Sequence, residues 1–392
     1  MRAKVIAVLF FFFFSVSSAQ ASTQKVLYTF TGGNDGGQPY AGVIFDTSGN
    51  LYGVTQTGGL YNRGTVFELS PTKSGSWTET VIYNFTGGTD GDEPVGGLAI
   101  DSSGNLYGTA IAGGDPKAQC GTVFELSPSP SGWTFTLLHS FQGGTKDGCA
   151  PMADLSVVWD EGEYRWVGTT TAGGTKNLGT AFEEGGFTWS FRGTNGGQPA
   201  GGVNAWGYGA AYGGGSLGGG TVYYLSYGNR VLVVHSFKES KEGVNPMGEL
   251  LAQTVGGVSS MYGTTSFGGA SRGGTVYRLT ESQTRPNVWA CSVLHSFSGP
   301  DGDGPAAGLI MDSTGNLFGT TSGGGSGGAG TVFKLTPGAK NKWTQTVLYN
   351  FTGGNDGGSV YSGVVFDNSG NLYGTTLKGG AQNQGVVYEV TP

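Results

Sequence analysis

Histidine is the side chain best suited to acid–base chemistry near neutral pH. This chain has three: His139 in LLHSF, His235 in VVHSF and His295 in VLHSF. Tyr28, Tyr83 and Tyr349 occupy the same place in other copies of that segment. A position that alternates between His and Tyr reads as structural, because a catalytic His is unique and faces a cleft. The pattern argues against a His-rich zinc site. A nucleophilic Ser needs a base and an orienting acid, and no GxSxG elbow stands between a strand and a helix. The glycine-rich run GGGSGGAG at Gly323–Gly330 lacks the Lys-Ser/Thr and the helix that a phosphate cradle requires.

Carboxylates form a more suggestive set. Asp35, Asp90, Asp147, Asp301 and Asp356 recur in one Asp-Gly loop, written GGNDGGQP, GGTDGDEP, GGTKDGCAP, SGPDGDGP and GGNDGGSV. If these loops emerge on one face, their acids encircle it. Asp90-Gly-Asp92 and Asp301-Gly-Asp303 resemble fragments of calcium loops, so calcium is the candidate cofactor, although the rest of an EF-hand pattern is missing. The competing reading is Asp-Gly turn chemistry. Three cysteines in an exported chain allow one disulfide and one spare thiol. Cys120 lies in a Gly-Gly loop that is longer than its counterparts, and Cys149 lies in the next Asp-Gly loop. Both loops should face the same side of adjacent units, which predicts a Cys120–Cys149 disulfide and leaves Cys291 free.

These residues must be positioned by a repeat. The stretch GNLYGTT at Gly370–Thr376 returns as GNLFGTT, GNLYGTA and GNLYGVT. The unit Gly304–Phe351 divides into four strand-like pieces: Ala307–Asp312, Asn316–Thr321, Gly330–Thr336 and Trp343–Phe351. Each fourth piece ends on Phe, at positions 30, 85, 141, 191, 237, 297 and 351. Four strands in about 45–60 residues is the size of a propeller blade. The Asp-x-x-Gly-Asn segments supply hairpin turns, with Gly at the positive-φ position.

Counting copies fixes the closure. First-to-third pieces occur seven times, yet Lys25–Phe30 is a fourth piece that precedes all of them, and the last copy stops at its third. The expected fold is an all-β, seven-bladed β-propeller of four-stranded antiparallel blades, closed by the N-terminal strand, with a six- or eight-bladed ring as the alternative. Gly201–Leu225 is the most divergent unit. It lacks the Asp-x-x-Gly-Asn turn and offers Asn204, Trp206 and Tyr208, while Glu249 stands on the next inner strand. Asn204 and Glu249 are candidate channel polar residues, and Trp206 and Tyr208 are candidate aromatic platforms for a sugar.

The motif DxxGNLYGTTxxGGxxxxGTVFxL resembles the Gloeo/Verruco tandem-repeat family, from about Lys25 to Pro392. The resemblance implies an exported, surface-associated bacterial protein of undefined activity and carries over no catalytic residue.

The N-terminus fits that implication. Arg2 and Lys4 precede an apolar run from Val5 to Val16, and Ala19-Gln20-Ala21 offers a cleavage site. Residues 1–21 therefore read as a secretory signal and 22–392 as a single propeller, secreted or periplasmic and free of the membrane after cleavage. The formal charge of −7 becomes −9 without Arg2 and Lys4. So acidic a chain lacks the basic stripe that nucleic acid demands. Glycine, 78 of 392 residues, lies between alternating apolar runs, and aromatic residues make up 12%, so the chain is folded rather than a linker. The favoured reading is a non-catalytic binding or scaffold module, expected as a monomer, for a carbohydrate or protein partner. The alternative is an extracellular polymer hydrolase or lyase that uses a carboxylate pair such as Asp90 and Asp301 with a bound cation.

Overall fold

The computed structural model describes residues 22–392 other than 161–162, 227, 239–240 and 286. The proposed leader lies outside the described residues. Strands form seven antiparallel blades. Blade 1 runs outward from Ile44–Phe45 through Leu51–Thr55 and Thr65–Pro71 to Trp77–Asn84. Blades 2, 3, 5 and 6 repeat that order within residues 99–140, 156–190, 244–296 and 310–350. Blade 7 takes its inner three strands from Val365–Phe366, Leu372–Thr376 and Val386–Thr391, and its outer strand is Thr23–Thr29. N-terminal closure of a seven-bladed ring is thus the observed topology. Among the described residues no helix is long and apolar enough to cross a membrane.

Blade 4 departs from the others. Its sheet has three strands, Tyr208–Ala211, Thr221–Ser226 and Arg230–Ser236. The innermost strand shrinks to the single bridge Val203–Gly209.

The recurrent turn explains the repeated motif. In blade 1, Oδ1 of Asp46 accepts the backbone N–H groups of Ser48 and Asn50 at 2.8 Å each, and Oδ2 accepts Asn50 Nδ2 at 2.9 Å. Gly49 takes a φ of +87°, which only glycine adopts cheaply. The following LYG segment places Leu51 fully in the core, and a Cβ on Gly53 would meet the Phe67 ring at 2.6 Å. Glycine is needed there because the third strand's aromatic ring lies across the second strand.

The blades are held together by a ring of aromatic pairs. Each outer-strand Phe is fully buried and packs edge-on against an aromatic residue on the third strand of the next blade. The pairs are Phe30–Phe67, Phe85–Phe124, Phe141–Phe182, Phe191–Tyr223, Phe237–Tyr277, Phe297–Phe333 and Phe351–Tyr388, with centroids 4.9–5.2 Å apart. This geometry suits the aromatic quadrupole and adds about 0.5–1.5 kcal/mol per pair beyond burial. Around the channel, second-strand threonines bond inner-strand carbonyls of the next blade. Thr375 Oγ1 donates to Ala41 O at 2.7 Å, and Thr320 Oγ1 to Ser362 O at 2.6 Å.

Cys120 and Cys149 form a disulfide with Cα atoms 4.5 Å apart, and Cys291 is unpaired. The bridge ties a blade 2 loop to the loop that leads into blade 3. It spans 29 residues, for which chain entropy gives about 3–4 kcal/mol. Reduction, or replacement of both cysteines by serine, is expected to lower unfolding stability by about that amount. Denaturant titration with and without reductant measures it, alongside mass spectrometry of the unreduced linked peptide. An unchanged midpoint would show that the bridge is energetically idle.

Candidate functional site

The loop acids are occupied by local structure. Asp90 is 9% exposed; its Oδ2 accepts Tyr83 Oη at 3.0 Å and Thr86 N at 2.8 Å, and its Oδ1 accepts Thr86 Oγ1 at 2.5 Å. Asp35 and Asp356 repeat this arrangement with Tyr28 and Tyr349. Asp147 and Asp301 substitute His139 and His295 for the tyrosine, at 3.2 and 2.8 Å. The His/Tyr alternation therefore has a single physical cause: either ring donates from the outer strand to the carboxylate of the following loop. Burial pushes the Asp301 carboxyl up, but the Ser298 N–H and hydroxyl, with His295, hold it below the ordinary range. Asp92 pairs with Arg63 at 2.9 Å, and Asp303 is exposed. Asp90 and Asp301 belong to non-adjacent seams of the ring, so the structure does not bring them together. Asp90→Ala removes charge-assisted bonds to a tyrosine, a hydroxyl and a backbone N–H. It is expected to cost about 2–4 kcal/mol, read by urea unfolding; a loss below a few tenths would show that the loop does not depend on it.

The chemistry gathers instead in the central channel. At the inner end of each blade lies a three-residue segment whose middle residue lines the channel. The segments are Ala41-Gly42-Val43, Gly96-Gly97-Leu98, Ala153-Asp154-Leu155, Gly201-Gly202-Val203, Gly248-Glu249-Leu250, Ala307-Gly308-Leu309 and Ser362-Gly363-Val364. Five middle positions are glycine; blades 3 and 5 carry Asp154 and Glu249. All seven segments line a cavity of about 520 Å³. The ring is tight where glycines meet: a Cβ on Gly42 would lie 3.3 Å from Gly363 O.

Asp154 Oδ1 accepts the Gly97 N–H at 2.5 Å, and Glu249 Oε2 lies 3.6 Å from where a Cβ on Gly202 would be. The Asp154 side chain is exposed to the channel and lines its wall. The protein around it displaces water and pushes its carboxyl up, against the Gly97 N–H, which lowers it. Burial, and then the neighbouring Asp154 charge, push Glu249 up to about 7. Glu249 thus holds its proton toward neutrality beside a second acid, as a carboxyl with a like charge nearby does.

Of the other residues singled out from the sequence, Asn204 is buried and its Oδ1 accepts the N–H groups of Trp206 and Tyr208, at 3.1 and 3.0 Å. It rebuilds, from a different residue, the turn that blade 4 lacks. Trp206 lines the cavity and is 44% exposed. Tyr208 instead packs in the seam against Tyr224 and Trp289, with centroids 4.9 and 5.8 Å away. Asp154 went unnoticed in the sequence; aligning the seven inner-strand triplets reveals it. Tyr40 and Tyr361, also unnoticed, stack at 5.2 Å in the cavity wall.

The fold and this channel define a seven-bladed propeller with an acid-bearing axial cavity. The chain belongs to the Gloeobacter/Verrucomicrobia repeat family, whose profile matches residues 12–207 and 207–392. No curated protein matches it. Among solved structures, a luciferin-regenerating enzyme aligns at 14% identity over 95% of this chain and 96% of its own, with a TM-score of 0.46. An α-L-arabinanase from Penicillium chrysogenum, complexed with arabinobiose, aligns at 12% over 90% and 93%, TM-score 0.45. The soluble aldose sugar dehydrogenase of Escherichia coli aligns at 13% over 95% and 100%, TM-score 0.45. At such identities and scores these likenesses say nothing of activity.

Proposed function

We propose that the chain is an exported binding propeller whose axial cavity takes a small hydroxyl-rich ligand, such as a sugar unit of a glycan. The carrying observation is the ring of five glycines and two acids, in which only Asp154 and Glu249 offer side-chain acceptors at the constriction. Trp206 and the Tyr40–Tyr361 stack supply apolar faces for a sugar ring. The disulfide suits an oxidising compartment, secreted or periplasmic. The N-terminal strand covers Val386–Thr391, so only the short outer edges common to every blade remain, which suits a monomer.

A thermal-shift screen of the purified chain against neutral oligosaccharides and calcium tests this. A ligand at 100 times its Kd stabilises by about 2.7 kcal/mol. Asp154→Asn should abolish the shift. So should Gly363→Met, which fills the cavity from a residue whose added Cβ would meet nothing closer than 3.6 Å. A sugar shift unaffected by both substitutions would move the site elsewhere, and no shift with any sugar would reject the reading. A shift with calcium alone would return the function to the acids.

One observation favours a second reading, acid–base cleavage of an extracellular polymer: Glu249 holds its proton to about 7 beside Asp154. A carboxyl that keeps its proton toward neutral pH, beside a second carboxyl, is what a general acid and its partner require. New reducing ends or unsaturated products from a polysaccharide, lost in Glu249→Gln, would favour it over simple binding.

A further inference from the structure

At each seam, the outer strand of one blade, the loop after it and the outer strand of the next blade converge. The third contributor stands at one register position. Glu79, Phe135, Cys291 and Gln345 face Leu69, Leu126, Leu279 and Leu335, and Gln24 faces Val390. This residue reaches over the preceding loop: Gln345 Nε2 donates to Asp301 O at 3.1 Å, and Gln24 Nε2 to Asp356 O at 3.3 Å. Phe135 instead stacks on Tyr83. Among the described residues, the seams of Gln345, Gln24 and Phe135 gather no three groups able to ligate a transition metal.

The seam between blades 4 and 5 does. His235 Nε2 lies 3.2 Å from Glu242 Oε2, and the repeat places Cys291 at the third position. One ligand atom from each of the three lies within 4.8 Å of the other two, and this is the only such group among the described residues. We propose that His235, Glu242 and Cys291 bind a divalent transition metal ion of the zinc class. Imidazole, carboxylate and thiolate are the ligand types zinc takes, at about 2.0–2.3 Å, which puts tetrahedral ligands roughly 3.3–3.8 Å apart. A contraction of about 1 Å would bring the three atoms to that spacing. His235 is braced edge-on by Phe237 at 4.8 Å, which fixes the direction of its ring nitrogen. Glu242 is partly exposed, so the fourth position opens to water or to a donor from outside. On binding, the metal replaces the Cys291 Sγ proton, which passes to solvent. A site with three protein ligands and one open position is the arrangement of catalytic rather than structural zinc. The site lies on the outer rim and does not involve the channel.

Cobalt substitution tests it directly. Cys120 and Cys149 are bridged, so Cys291 is the only cysteine free to give a thiolate–metal band. The full chain, stripped with chelator and titrated with Co²⁺, should develop a sulfur-to-cobalt charge-transfer band that saturates at one equivalent and is displaced by Zn²⁺. Cys291→Ser should abolish the band and His235→Gln should weaken binding at least tenfold, with metal-free unfolding midpoints showing that both variants fold. In the unmodified chain, Zn²⁺ should slow alkylation of Cys291, a measurement that needs no variant. No charge-transfer band, or Cys291 alkylated equally fast with and without Zn²⁺, would overturn the assignment.

Discussion

A chain that begins at Thr31 is expected to lose its cooperative unfolding transition. Thr23–Thr29 is the outer strand of blade 7 and pairs along Val386–Thr391, from Thr23 opposite Thr391 to Thr29 opposite Val386. Phe30 follows, fully buried against Phe67 of blade 1. Emptying a site of this kind by Phe→Ala alone costs about 3–5 kcal/mol. The deletion also removes a ladder and exposes the edge of the Val386–Thr391 strand to other chains. Since domains are stable by only about 5–15 kcal/mol, the combined loss consumes most of the margin. Circular dichroism with urea titration reads the outcome, and light scattering reads the association that a bare edge invites. A deletion variant with an unshifted midpoint would mean that the ring does not depend on its closing strand. Phe30→Ala is the graded version and should remain folded.

Glu249→Gln is expected to stabilise the protein at pH 8 while removing the function of the channel. The folded Glu249 carboxyl titrates at about 7, raised from 4.5 by burial and by Asp154. An acid whose affinity for its proton rises on folding contributes stability that is complete below the unfolded value. It loses that stability as pH rises through the folded value. Between about pH 4.5 and 7 the wild type should therefore weaken, by up to about 3 kcal/mol, and then level off. Glu79 is raised to about 7 in the same way, chiefly by burial and then by Asp35, and adds a slope of the same sign. The difference between wild type and Glu249→Gln isolates the channel acid. It should be near zero at pH 4 and reach its plateau above pH 7. A difference independent of pH would show that Glu249 is not held in the protonated form. Greater stability joined to lost binding would identify the acid as kept for use rather than for folding.

Much of this was legible before any coordinates. The copy count, the orphan fourth piece at Lys25–Phe30 and the terminal Phe of each unit are periodic signals, and periodic signals survive drift at single positions. The Cys120–Cys149 bridge followed from two loops placed on one face. The channel was only half visible. Glu249 stood out as a charge on an inner strand, whereas Asp154 sat in a divergent unit beside other acids and drew no notice. The ring that joins these two residues exists only when seven segments far apart in sequence converge. The loop acids are legible for the opposite reason, as the Asp-Gly turns that their spacing suggests. Their recurrence was obvious, but a repeated acid is more simply a repeated turn, and the partners that occupy Asp35, Asp90 and Asp356 are the tyrosines already seen alternating with histidine. Tyr208 reads as a platform, yet it is the aromatic residue of the repeated second strand and packs on Trp289 in the seam, as Tyr52, Tyr262 and Tyr373 pack on Trp133, Trp343 and Trp77.

Pairing the first strand with the last has a consequence in time. Thr23 meets Thr391, and Thr375 reaches across to Ala41, so the ring is sealed by contacts between the two ends of the chain. Closing a loop of that length costs about 5 kcal/mol of chain entropy, and none of it is recovered until the final residues arrive. Blades 1 to 6 can assemble in order as the chain emerges, each docking its aromatic residue on the last. The seventh cannot. The polypeptide must remain an open arc, with Thr23–Thr29 unpaired, until Val386–Thr391 is made. Its slowest folding step should therefore be the meeting of its two ends, and a circularly permuted chain with the break moved between two intact blades should seal faster.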